Sequence, residues 1–170
     1  MIVSEIRGDL VATLAHAIEN PNHQRTFIMG QGCNCFIRQG SGIAGQLRRF
    51  PEVYQADIDF GREGDPLKLG EYSVALFDEH GTVPQAVVFN MYTQFSMGTK
   101  ERHAEYSAIA ESVRGIVRYL EGNDDKIYLP LIGAGLAGGD WEIIRDIIDR
   151  ASGSKEIVIV HFEEDKLIDW

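Results

Sequence analysis

Two stretches of the chain concentrate glycine: Gly30 to Gly45, which runs GQGCNCFIRQGSGIAG, and Gly133 to Gly139 within LIGAGLAGGDW. Glycine lets a ligand approach the main chain closely, and main-chain N–H groups near a helix start attract oxyanions. A diphosphate suits such a pair of loops. Neither is a P-loop, since no Gly-Lys-Ser or Gly-Lys-Thr follows, and neither is a dinucleotide fingerprint with an acidic ribose reader downstream. ATP hydrolysis and hydride transfer therefore lose support. One such loop alone reads most simply as a tight turn, but two in 170 residues point to a ligand.

Three polar residues beside these loops carry usable chemistry. Asp9 and Asp140 each precede an apolar periodic stretch, where a carboxylate caps a helix and can equally accept from a ligand or orient a water. Asn34 lies between Cys33 and Cys35; its amide can donate to and accept from ribose hydroxyls, or close an Asx turn. Two cysteines without a second pair do not make a structural zinc site, and a disulfide between residues two positions apart is implausible. We expect no metal and no cofactor, and reduced thiols in the cytoplasm. The start MIVSEIRGDL lacks a basic, apolar leader, and no apolar run approaches the roughly 20 residues that span a bilayer. A net charge of -10 opposes nonspecific nucleic-acid binding.

The elements that must position these residues follow from apolar periodicity. Strands are expected at IVSEIR, Thr26 to Met29, Tyr72 to Phe77, Ala86 to Tyr92, Lys126 to Leu129 and Lys155 to Phe162. Helices are expected where Leu10, Leu14, Ala17 and Ile18 recur, at LRRF and the Pro51-started PEVYQADIDF, across Ile109 to Leu120, and across Trp141 to Ala151. Tyr72 to Phe77 and Ala86 to Tyr92, joined by the turn-like Asp78 to Gly81, suggest a hairpin. The alternation predicts an α/β fold: one domain over residues 1–170, with a mixed, mostly parallel sheet covered by helices on both faces. Ligands on such sheets bind at the strand C-terminal ends.

GDL at residues 8–10, GCNC at 32–35, GSGIAGQLRRFPEVYQAD at 40–57, NMYTQ at 90–94 and IYLPLIGAGLAGGDW at 127–141, in this order, resemble the macro-domain family over nearly the whole chain. The closest flavour is the branch of the yeast ADP-ribose-1''-phosphate phosphatase, phage relatives and the human terminal ADP-ribose protein glycohydrolase. The resemblance implies a three-layer α/β/α macro-domain fold and an ADP-ribose ligand. It implies that Asp9, with Leu10, receives the adenine, that Gln31, Gly32 and Asn34 border the distal ribose, and that Thr93 and Gln94 lie nearby. The diphosphate would cross Gly40, Ser41, Gly42, Ile43 and Ala44, and opposite them Gly133, Ala134, Gly135, Leu136, Ala137 and Gly138.

The pattern departs from the branch at three ionisable positions. Gln31 stands where the yeast-type phosphatase has a histidine, and Gln94 and Ala137 stand where the glycohydrolase has lysine and aspartate. Asp140 is left as the candidate catalytic carboxylate, with Asn34 holding the distal ribose. The expected activity is hydrolysis of a 1''-linked ADP-ribose derivative, most specifically phosphate removal from ADP-ribose-1''-phosphate. The alternatives are release of ADP-ribose from modified protein or nucleic acid, and a non-catalytic module that recognises ADP-ribosylated macromolecules or sequesters the free nucleotide.

Overall fold

In the computed structural model, which describes residues 1–170 except Glu79, His80, Thr82, Thr99 and Lys100, six strands form one sheet. The strands are β1 (Ile2–Gly8), β2 (Phe27–Cys33), β3 (Tyr72–Phe77), β4 (Ala86–Tyr92), β5 (Ile127–Leu129) and β6 (Ile157–Phe162). Their order is β1-β6-β5-β2-β4-β3. All neighbours are parallel except the antiparallel pair β3–β4. The expected hairpin pair is thus adjacent in the sheet, while Glu79 and His80 of its turn lie outside the described residues.

Helices cover both faces, as parallel strands without a wet side require. Along β2, Phe27 and Met29 enter one core with Leu10, Leu14, Leu47 and Val53 from α1 (Leu10–Glu19), α2 (Gly42–Leu47) and α3 (Pro51–Phe60). Ile28 enters the other core with Ile109, Val113, Ile144 and Ile148 from α4 (Tyr106–Tyr119) and α5 (Trp141–Ala151). This is a three-layer α/β/α arrangement. No described helix is long and apolar enough to cross a membrane.

Two boundaries around the first glycine-rich loop differ from the sequence expectation. β2 does not stop at Met29 but pairs with β4 through Cys33. Gly30 and Gly32 serve packing there: a Cβ on Gly30 would lie 2.8 Å from Met91 Sδ, and one on Gly32 2.9 Å from Thr93 Oγ1. The helix expected at LRRF starts earlier, at Gly42, and ends at Leu47. The last four residues of the first glycine-rich loop, Gly42 to Gly45, are therefore helical.

Candidate functional site

The C-terminal ends of the five parallel strands lie along one edge of the sheet, and the loops leaving them enclose a cleft with two lobes that share Gly42 and Ile43. The smaller, of about 220 Å³, lies over β1 and β6 and is lined by Asp9, Leu10, Val11, Pro130, Val160 and Phe162 among others. The larger, of about 570 Å³, is bordered on one side by Gly32 to Asn34 and Arg38 to Ala44. Gln94, Met97, Gly98, Gly133 and Gly135 to Ala137 border its other side.

Asp9 sits where β1 gives way to α1. Its Oδ1 accepts from Ala12 N at 3.0 Å, capping the helix, and its Oδ2 accepts from Asp165 N at 3.0 Å. Both oxygens keep lone pairs beyond these bonds, because a carboxylate offers about four acceptor directions. Across the small lobe stands Phe162, the last residue of β6, with 62% of its surface exposed. Sequence reasoning missed it; the signal is an aromatic ending an otherwise buried strand just where the chain turns acidic.

The two loops leave main-chain N–H groups without protein acceptors. Gly42, Ile43 and Ala44 form the first turn of α2, where helical geometry supplies no acceptor for the N–H groups. Gly42 has φ 58°, and a Cβ there would meet nothing within 4 Å except the open cleft. The opposing loop is braced by Gly139 N to Gly133 O at 2.7 Å and by Ala137 O, which accepts from His103 N and Ala104 N. Among the described residues, the N–H groups of Gly135, Leu136 and Ala137 donate to no protein acceptor.

Most of the Asn34 amide is engaged locally, with one Nδ2 N–H left over. Its Nδ2 donates to Arg38 O at 2.8 Å, and its Oδ1 accepts from Phe36 N at 2.9 Å and Arg38 N at 3.4 Å, closing an Asx-type turn. Gln31, fully buried, donates to Asn90 Oδ1 at 2.7 Å. Asn90 Nδ2 continues to Ser73 Oγ at 3.1 Å, Ser73 contacts Tyr92 OH at 3.0 Å, and Tyr92 donates to Asp57 Oδ1 at 2.7 Å. Asp57 also accepts from Gln39 at 2.8 Å and pairs with the buried Lys68 at 3.6 Å. Burial pushes the Cys33 thiol and the Tyr92 hydroxyl well up, and raises Cys35 to about 11, so none of the three is a nucleophile near neutrality.

The structure gathers most of the expected positions at the cleft: Asp9, Leu10, Gly32, Asn34, Gly40 to Ala44, Gln94, Gly133 and Gly135 to Ala137. Gln31, Thr93, Ala134, Gly138 and Asp140 do not line it. Thr93 is buried behind Gly32. Asp140 is exposed and caps α5, its Oδ1 accepting from Glu142 N at 3.0 Å and Ile143 N at 3.5 Å, while Oδ2 holds no hydrogen bond. Arg38 and Gln39 are lining residues that sequence reasoning passed over. Among the described residues no group of three or more His, Cys, Asp or Glu could hold a metal.

A model of the macro domain family matches residues 31–148, which include both glycine-rich loops apart from Gly30. The chain belongs to the macro domain family. This macro domain is 42% identical over 166 residues to an uncharacterized 17.5 kDa protein of Enterobacteria phage T4, covering 96% of this chain and 98% of the phage protein. Its fold resembles that of the macrodomain of Thermus aquaticus DarG, with TM-score 0.66, 21% identity, and coverage of 95% of this chain and 98% of that one. It also resembles Thermosipho africanus DarTG in complex with ADP-ribose, with TM-score 0.62 and 21% identity over 85% of this chain and 40% of that one. The macro domain therefore shares its fold with proteins distant in sequence.

Proposed function

We propose that this macro domain, acting as a single unit over its 170 residues, binds ADP-ribose or a close derivative in the two-lobed cleft. The observation that carries this reading is the join at Gly42 and Ile43 between a small lobe holding a carboxylate and an aromatic and a larger lobe flanked by unpaired loop amides. Adenine would lie against Phe162 with its amino group toward Asp9. The diphosphate would rest between Gly42 to Ala44 and Gly135 to Ala137. The distal ribose would then occupy the lobe bordered by Asn34 and Gln94. A related fold that holds ADP-ribose supports the same reading. Two buried, unpaired thiols fit a cytoplasmic setting.

Calorimetric titration with ADP-ribose, using ADP, ATP and NAD as controls, should give selective, saturable binding. Binding to none of the four would leave the fold without this function.

For hydrolysis of a 1''-linked derivative, specifically release of phosphate from ADP-ribose-1''-phosphate, the candidate carboxylate is Asp140, which caps α5 just beyond the residues that line the cleft and keeps Oδ2 free to orient or deprotonate a water. Asp140→Ala should lower phosphate release by roughly a hundredfold while leaving ADP-ribose affinity within a few-fold. Full release by that variant removes Asp140 from the reaction. A second reading, a module that recognises ADP-ribosylated macromolecules without turnover, is favoured by the absence of carboxylate and imidazole among the described residues lining the larger lobe. Tight binding with no phosphate release from the parent protein would select it. Release of ADP-ribose from a modified protein or nucleic acid would instead select the glycohydrolase reading.

A further inference from the structure

Arg38 is the one charged side chain among the described residues that line the larger lobe, and none of the described carboxylates forms an ion pair with it. Among the described residues only Arg145, Arg150 and Arg25 form arginine ion pairs, with Glu5, Asp146 and Asp125; what sets Arg38 apart from the other unpaired arginines is its place in the lining of the cleft. Arg38 is exposed, and its guanidinium makes no hydrogen bond or ion pair to the described residues.

The backbone that carries Arg38 is held on both sides. Asn34 grips its carbonyl at 2.8 Å and its amide at 3.4 Å. The next residue, Gln39, is 4% exposed and donates to the fully buried Asp57. Between Asn34 and Arg38, Ile37 adopts φ 58°, a left-handed conformation that is costly for a β-branched side chain. A strained turn persists only where its surroundings over-determine it, and such turns cluster where a group must be aimed. The residue that follows this turn is Arg38, which lines the larger lobe and not the smaller one that holds Asp9.

We infer that Arg38 is a specificity-determining residue that recognises a phosphomonoester carried on the distal ribose of the bound nucleotide. The inference rests on the ADP-ribose reading of the cleft and adds to it the residue that would select a phosphorylated derivative over ADP-ribose itself. A guanidinium presents planar, forked donors that match a tetrahedral oxyanion, and a charge-assisted pair of this kind is stronger than a neutral hydrogen bond. The diphosphate has its own donors in the loop amides, so Arg38 contributes selectivity rather than basal nucleotide affinity.

The test compares ADP-ribose with ADP-ribose-1''-phosphate on the parent protein and on Arg38→Gln, by calorimetry with phosphate release followed in the same samples. Where release occurs, KM replaces Kd. The parent should favour the phosphorylated ligand by about tenfold or more, and Arg38→Gln should bring that ratio near one with ADP-ribose affinity changed less than about threefold. Arg38→Lys should retain part of the preference, because it keeps the charge and loses the fork. A parent ratio near one alongside firm ADP-ribose binding overturns the role of Arg38 and leaves the cleft assignment standing. An equal loss of both ligands in Arg38→Gln also overturns it, since the residue would then support the loop or the diphosphate. Failure of the parent to bind either ligand sinks the ADP-ribose reading itself.

Discussion

Gly42→Val should abolish ADP-ribose binding, raising Kd by at least about a hundredfold, or roughly 2.7 kcal/mol, in a titration that gives a clean isotherm for the parent. A Cβ at residue 42 enters open space that is the junction of the two lobes, so a branched side chain there occupies the path from one to the other. The φ of 58° adds a backbone cost of about 1–2 kcal/mol for an L-residue, so thermal stability should fall by several degrees. Gly135→Val separates the two effects. That position also opens to empty space and does not have positive φ, so its variant should block the ligand from the opposite loop with little loss of stability. If both variants bind ADP-ribose within about twofold of the parent, the ligand does not pass between these loops.

The largest effect on stability is expected at Asp57. Asp57→Asn should destabilise the fold by about 3–5 kcal/mol in urea or guanidinium unfolding, because it leaves a buried ammonium without its counter-charge. Lys68 is fully buried, has Asp57 at 3.6 Å as its ion-pair partner, and makes no hydrogen bond through Nζ; the rings of Tyr92 and Phe60 also lie against it, with centroids 4.5 and 5.7 Å away. Asp57 is also the acceptor for Tyr92 and Gln39. Asp57→Asn combined with Lys68→Met should recover much of the loss, since removing both charges removes the desolvation penalty along with the attraction. A loss below about 1 kcal/mol for Asp57→Asn alone would mean that the pair is effectively solvated. The network also reaches the cleft through Gln39, so Asp57→Asn should loosen the turn that carries Arg38 as well as the core.

Much of this protein is legible in local pattern. The alternation of short apolar runs with helical periodicity in stretches such as Ile109 to Leu120 identifies strands and helices, because burial of one face imposes a spacing that needs no knowledge of the neighbour. Caps are local too: Asp9 and Asp140 accept from amides two or three residues ahead, an arrangement set by the chain's own geometry. The ordered motifs from GDL to LIGAGLAGGDW identify the family before any coordinate is known.

Boundaries inside the glycine-rich loops were less legible. Gly30 and Gly32 look like loop residues, yet they belong to a strand whose neighbours Met91, Leu129 and Thr93 leave no room for a Cβ. That crowding depends on strands distant in sequence.

By itself, then, the sequence determined the element types, the helix caps, the two glycine-rich loops and the family. Only the tertiary structure decided which polar groups remain free to meet a ligand. Asn34 is committed to its own turn, Gln31 is drawn into a buried chain of amides and hydroxyls, Asp57 and Lys68 neutralise each other, and Arg38 and Phe162 are left facing the cleft. The physical reason is that a polar side chain is spent or available according to the partners within about 3 Å of it. Here those partners are supplied by sheet order and loop packing, to which the spacing of residues along the chain is blind.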